Sequence, residues 1–446
     1  NKKYNEKNNK NIKSNNGGQL MAGTIITRTP SSAGNRKTMT FSAWIKKSSD
    51  STGRVFSTSY SGENNQFWIK FGTDMSVVSR TGGSYTMTFD SSEKYRDVNG
   101  WYHLVIAIDT TQNSATDRLK VYINGSLING TVGTTPSQNL DVEWNVAQPN
   151  DIGGKSDTNN EYFDGSMSHV HFIDGTAYDA TAFGETDSTT GEWKIKTSPS
   201  VTYGTNGFFI LKDDNTITDQ SSNSNNFSLD SGTLTKTEDS PSNVFATANA
   251  LTNLNGSATY SYGNLKVTGD AAANAVWQTT LGVSSGKWYW EVKNLMNLND
   301  LSLLFYDQAI ISGSHPGYGF VCSSKKKIIN GSVTGSAIGS SAQNDIWSMA
   351  LDLDNGKMFI ARNGTYLESG NPSTGANPFI QTSDGLPSEG VIGGHTYDGS
   401  VELNFGNGYF GTTAVSSAGT NASGNGIFEY DVPTGFTALT TKGLNL

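Results

Sequence analysis

Three features of the sequence predict an all-β chain built as two antiparallel β-sandwiches in tandem. The 50 glycines, with abundant Asn, Ser and Thr and only 16% charged residues, supply many tight turns. Aromatic and β-branched residues recur at period two, the spacing of a pleated strand with one buried face. No stretch carries the 3.6-residue apolar repeat of an amphipathic helix. At 446 residues the chain exceeds one ordinary core, so two domains are expected.

Residues 1–20 (NKKYNEKNNKNIKSNNGGQL) bury almost nothing and read as a flexible Asn/Lys-rich arm that orders only on a partner. The first sandwich is placed at 21–240. Its strand "TMTFSAWIKK" (38–47) puts Met39, Phe41, Ala43 and Ile45 on one face and Trp44 on the other. "NQFWIKFG" (65–72) and "WYHLVIAIDT" (101–110) repeat the pattern, and "DRLKVYINGSLINGT" (117–131) is a hairpin tipped by Asn124-Gly125. "YFDGSMSHVHFIDGTAYDATAFGE" (162–185) and the returning strand "GFFILKDD" (207–214) complete the domain. A polar stretch broken at Asp239-Ser240-Pro241 leads into a linker at 241–257.

The second sandwich is placed at 258–412. In "GKWYWEVK" (286–293), Trp288, Trp290 and Val292 share one face, and Tyr289, Glu291 and Lys293 the other. "DIWSMALDLDNGKMFIARNG" (345–364) runs Trp347, Met349 and Leu351 into a turn at Asn355-Gly356. Large residues at period two predict that the rings are chiefly core and that these two strands face each other across it. A linker and docking segment, 413–446, closes the chain, with Val432-Pro433-Thr434-Gly435-Phe436 and Leu439 shaped to return to a body or to a neighbouring chain.

The formal net charge of -9 gives no basic field for phosphates, so nucleic acid is excluded as a partner. No apolar run is long enough for membrane insertion, and the first twenty residues show no signal-peptide core. The chain begins with Asn1 rather than Met, which leaves an upstream start open. A single cysteine, Cys322, excludes an intrachain disulfide and a Cys-rich metal site.

No catalytic residues are assigned. The paired carboxylates of a sandwich glycosidase call for an alternating Glu-x-Asp-x-x-Glu run, and "DVEWN", "NEYFD" and "YWEVK" lack the alternation. Among the five histidines, His103 reads as a hydrogen-bonded strand residue, and His169 and His171 form an i, i+2 pair with no identifiable third metal ligand. No metal is therefore assigned and no cofactor is expected. Calcium alone stays open, through "DLDNG" and "KDDNTITD".

The motifs "KTMTFSAWIKK", "GWYHLVIAIDT", "LKVYINGSLI" and "FDGSMSHVHFIDGTAYD" together resemble the laminin-G/concanavalin A-like lectin family over residues 21–185. The later set, Gly-Lys-Trp-Tyr-Trp-Glu, Gly-Tyr-Gly-Phe, Asp-Leu-Asp-Asn-Gly-Lys running into Arg-Asn-Gly, and Asn-Phe-Gly, resembles the SPRY family over about 155 residues. The SPRY resemblance implies a ligand held by edge loops, here 306–318 and 393–399. The candidate ligand-binding residues are Tyr306, His315, Tyr318, His395 and Tyr397, whose rings and polar tips suit a sugar.

With the opening "RTPSSAGNRKTMTFSAWIKK", the boundary "DSPSNVFATANALTN" and the ending "VPTGFTALTTKGLNL", the tandem resembles tailed-phage virion proteins over nearly everything after residue 20. That resemblance implies a fibre, tail or capsid-decorating adhesin on the virion exterior, with host-surface glycan and other virion proteins as partners and homo-oligomerisation. A purely structural virion component is the alternative, and a polysaccharide-degrading tailspike is a third reading.

Overall fold

The computed structural model describes residues 17–20, 23–58, 62–158, 160–212, 215–252, 257–270, 275–296, 301–307 and 315–444. These form two antiparallel β-sandwiches in succession, the fold class that the composition and period-two runs predict.

One sheet of the first sandwich runs, in spatial order, through Ser126–Leu127, Leu119–Ile123, Tyr102–Asp109, Thr38–Lys47, Gly165–Asp174, Gly17–Leu20 and Leu234–Thr237, and Phe208–Ile210 also pairs Gly165–Asp174. Its partner sheet runs Gly130–Thr134, Ser84–Ser91, Met75–Thr81, Gln66–Phe71, Gly53–Thr58, Asn150–Ile152, Ile25–Arg28 and Ser228–Ser231. Asn124 and Gly125 take φ of 48° and 80°, the left-handed pair that a two-residue hairpin needs. Between the sheets, Phe41, Ile106 and Met167 meet Phe56, Phe67 and Val77. Trp144, fully buried, stacks on Phe67 at 4.3 Å and on Phe172 at 5.2 Å.

The last four residues expected in the arm belong to a sheet instead. Gly17–Leu20 lies between Gly165–Asp174 and Leu234–Thr237, where its backbone completes two antiparallel ladders. Residues 1–16 lie outside the described residues.

In the second sandwich, Ala258–Ser261, Lys266–Gly269, Gly399–Asn404, Lys287–Asn294, Ile346–Asp352, Lys357–Arg362 and Thr365–Tyr366 form one sheet. Ala275–Val283, Gly390–Thr396, Leu301–Tyr306, Tyr318–Val321, Lys326–Ile329 and Ser332–Thr334 form the other. Trp288, Trp290 and Trp347 are buried in the core, as the alternation requires. The strands carrying them do not face each other across it. They are hydrogen-bonded neighbours, with Trp290 opposite Met349 and Val292 opposite Trp347, and their rings pack on Trp277, Phe305 and Phe320 of the other sheet.

The opposite face of the same strand closes a smaller core. Tyr289, Ala350 and Phe359 are covered by Phe428, Val432, Phe436 and Ala438. Thr437–Ala438 adds in parallel beside Trp288 and Tyr289, where Gly399–Asn404 leaves that edge open. The segment expected to dock after 412 is thus part of the second sandwich. So is most of the expected linker: Ala246 and Ala248 lie in the main core, and the Ala246 amide donates to the Leu439 carbonyl at 2.9 Å.

The two sandwiches meet beside Lys46 and Ser48, where Asp239 of the first sandwich fixes the lysine. One carboxylate oxygen pairs with Lys46 Nζ at 2.5 Å and the other accepts from Trp101 Nε1 at 2.9 Å, all three residues being buried. Lys46 also donates to the Phe245 carbonyl, and Asn264 Nδ2 donates to the Ser48 carbonyl at 2.7 Å.

Candidate functional site

The five ligand-binding candidates do not form one exposed loop site. Tyr306 ends the Leu301–Tyr306 strand, is fully buried, and donates to the Trp277 carbonyl at 3.3 Å. His395 belongs to the Gly390–Thr396 strand and is equally buried, because "GGHT" continues a ladder instead of opening a loop. Tyr318 begins a strand and packs in the second core. His315 is half-buried, its Nδ1 at 3.0 Å from Ser302 Oγ and its ring edge-on to His395 at 5.1 Å. Tyr397 alone stands at a surface turn, 37% exposed. Within the proposed 306–318 loop, residues 308–314 lie outside the described residues. The structure therefore brings Tyr306, His315 and His395 to one sheet face and turns Tyr318 to the other.

The histidines of the first sandwich are interior residues. His103 stacks on Trp44 at 4.7 Å, bonds Ser42 Oγ through Nε2, and accepts from Trp193 Nε1 at Nδ1. His171 Nδ1 lies 3.0 Å from the Tyr203 hydroxyl. Burial lowers His103 and His169 to about 3, and His171 well below its ordinary value, so all three are neutral near pH 7. No group of three or more potential metal ligands converges among the described residues. The carboxylates considered for calcium serve the fold. Asp352 pairs with Lys287 at 2.9 Å and holds Asn355, and Asp219 caps the amides of Phe209, Ser221 and Asn225, which leaves these sets ill-suited to the ion. Asp213 and Asp214 lie outside the described residues.

Gly282-Val283-Ser284-Ser285-Gly286 has the spacing of a nucleophile elbow. It connects strands of the two facing sheets, however, where an elbow needs a strand turning into a helix, and Ser284 faces solvent.

A built polar cleft lies instead on the outer face of the first sandwich. It is an open depression of about 380 Å³ lined by Asp109, Gln112, Asp117, Lys120, Tyr122, Tyr178 and Asp179 with Ala107 and Ala177. The strand period places these side chains there: Leu119, Val121 and Ile123 turn into the core, so Lys120 and Tyr122 turn out. Asp109 closes its strand by accepting from the Thr111 amide at 3.0 Å, the Thr111 hydroxyl at 2.6 Å and Gln112 Nε2 at 2.5 Å. Arg118 stiffens that loop through the carbonyls of Gln112, Asn113 and Pro136.

On the far wall, the Tyr178 amide donates to Thr40 Oγ1 at 2.7 Å, and its ring meets Phe183 edge-on. Asp179 caps the short turn Ala180–Ala182 by accepting from the Thr181 amide at 2.8 Å. Asp117 and Lys120 pair at 3.1 Å, which raises the Lys120 ammonium. Burial pushes Asp109 up, but the bonds from Thr111 and Gln112 outweigh it and leave the carboxyl below its ordinary value. The cleft thus holds three carboxylates, each engaged by the fold but keeping lone pairs toward solvent, one ammonium paired with Asp117, and two phenol rings. Such a set can accept and donate to hydroxyls while the rings cover C–H faces.

Sequence reading missed this cleft because its residues lie at 107–122 and 177–179 and meet only through the sheet. The available signals were the Asp-x-Thr turns at Asp109-Thr110-Thr111 and Asp179-Ala180-Thr181, which fix one carboxylate at a strand end and the other at the start of a short turn.

Comparisons with known proteins give one family match and several likenesses of fold. A search of curated proteins finds no match. Among solved structures, the SPRY domain of human HERC1 is 15% identical, with 33% of this chain and 91% of that chain covered, at a TM-score of 0.28. A native heptameric SAP-like pentraxin from Limulus polyphemus is 16% identical over 37% of this chain and 79% of that one, at 0.28. A candidate carbohydrate binding protein from Bacteroides ovatus is 16% identical over 50% and 60%, at 0.30. These likenesses concern fold alone. Residues 22–182 match the Laminin_G_3 family model, described as the concanavalin A-like lectin/glucanases superfamily, and the cleft lies within that span.

Proposed function

We propose that this chain is a non-enzymatic carbohydrate-binding protein whose first sandwich takes a sugar in the Asp109/Lys120/Tyr122/Tyr178/Asp179 cleft. The observation that carries the reading is the cleft itself: rigid acceptors and one donor beside two phenol rings, inside the span that matches the lectin/glucanase model. We place the protein on the exterior of a tailed-phage virion, as an adhesin that gathers host-surface glycan through many copies. Other virion proteins and further copies of the chain are its proposed partners. Support for that setting comes from the tandem resemblance and the acidic, cysteine-poor composition.

Binding without hydrolysis is favoured because the chain lacks the alternating Glu-x-Asp-x-x-Glu run that a sandwich glycosidase of this kind carries. A purely structural virion role has its own support. An open apolar groove of about 490 Å³ between the two sheet edges exposes Leu127 at 59% and Val132 at 48%, a surface suited to another protein.

A glycan array with the full-length chain, run beside a reducing-sugar assay, tests the reading. Capture of a defined glycan class without sugar release is the expected result. Release of reducing ends would make the protein a hydrolase, and silence on all glycans would favour the structural role.

A further inference from the structure

The first sandwich carries a second arrangement of rings, on the outer face of the opposite sheet. Strand register aligns Trp68 with Val78 and Val78 with Thr88, with Lys70 and Arg54 paired in the next row, so these side chains share one surface. The Tyr85 ring, 55% exposed, meets the Trp68 ring edge-on at 6.5 Å. The Arg80 guanidinium lies 5.6 Å from the Tyr85 centroid and that of Arg54 lies 4.8 Å from the Trp68 centroid. An exposed tyrosine usually samples several rotamers. This one is flanked by an indole and a guanidinium, which lowers the ordering entropy lost when a ligand lands on it.

The charges around the rings are already matched. Arg54 and Lys70 both pair with Glu161, and Arg80 lies 3.8 Å from Glu63. With Asp90 on the same face, Arg54, Lys70 and Arg80 stand against Glu161, Glu63 and Asp90, so the surface has no net field to draw an ionic ligand. It offers instead ring surface for C–H faces and fixed charged groups for hydroxyl hydrogen bonds.

We propose that this Trp68/Tyr85 face is a second glycan-binding surface, which takes an uncharged polysaccharide while the cleft on the other sheet takes a single sugar residue. The inference rests on the carbohydrate-binding reading above. It adds the substrate class, a neutral chain polymer, and a two-sided mode in which one sandwich is gripped from both faces.

The test is titration of the full-length chain with a soluble neutral β-glucan and a neutral galactomannan, with alginate as the anionic control, for wild type, Tyr85→Ser, Tyr85→Phe and Tyr178→Ala. Tyr85→Ser should melt like wild type and weaken the preferred neutral polymer about tenfold, whereas Tyr85→Phe, which keeps the ring, should bind within about twofold of wild type. Alginate should bind more weakly than the neutral polymers in every case. Unchanged polymer binding by Tyr85→Ser beside a loss in Tyr178→Ala would overturn the second surface and leave the cleft standing. Preference for alginate would overturn the neutral class. Absence of binding to every glycan, wild type included, would remove the carbohydrate reading and this inference with it.

Discussion

At the residue scale, burial decides which groups pack and which titrate. Trp347→Ala should destabilise the second sandwich by about 3–5 kcal/mol, since a fully buried indole leaves a cavity; thermal melting reads the loss, and a wild-type melting curve would contradict the core assignment. The buried histidines give the first sandwich an acid sensitivity. Their folded-state values are lowered, to about 3 for His103 and His169, so the unfolded chain binds protons more readily below its ordinary value of about 6.5. Their contribution is complete above that pH and declines as pH falls toward 3; melts at pH 7.5 and 4.5 should show it, and His103→Gln should flatten the dependence.

Glu291 works in the other direction. Burial pushes it up to about 7 against the amides of Glu429 and Tyr430, the Tyr289 hydroxyl and Asn404. Its contribution is complete below about 4.5 and is lost as pH rises through 7. The sequence marked the indoles of the Trp-Tyr-Trp triplet as core because alternation alone fixes a face. It did not mark Glu291 as the receptor of two amides 138 and 139 residues away, because nothing local encodes so distant a contact.

At the element scale, strands were legible and their neighbours were not. Period two identifies that Lys287–Asn294 and Ile346–Asp352 each have a buried face, but two strands with buried faces can pair edge to edge or oppose each other, and only the full topology decides. The same ambiguity misplaced His395 and Tyr306. A Gly-rich stretch reads as a loop, whereas Gly393 and Gly394 are in-strand residues at which a side chain would strike Trp277 or Tyr306. The C-terminal segment is a sheet element as well as a cover. Truncation after residue 412 should leave the Trp288–Tyr289 edge unpaired and expose Phe359, lowering the melting temperature of the second sandwich and opening it to protease. A truncated chain as stable as the whole would show that the segment is only draped on the sheet.

At the scale of the whole molecule, the two sandwiches are joined by bonds from Lys46 to the Phe245 carbonyl and from Asn264 to the Ser48 carbonyl rather than strung on a free linker. Asp239→Ala would strand the buried Lys46 ammonium and Trp101 N–H inside the first sandwich, at a cost of about 3–5 kcal/mol. Calorimetry should show the loss in the first sandwich's transition, and an unchanged profile would contradict the buried pairing. The junction sets the second sandwich at a fixed place beside the first and leaves the polar cleft on the outer sheet face, assembled from loops and strands that are distant in sequence. If that cleft recognises carbohydrate, a glycan array run with the full-length protein beside Tyr178→Ala will separate the two. Wild type should capture a defined glycan class, and the variant, folded and melting near wild type, should lose it. Equal capture by both, or capture by neither, would contradict recognition by the cleft.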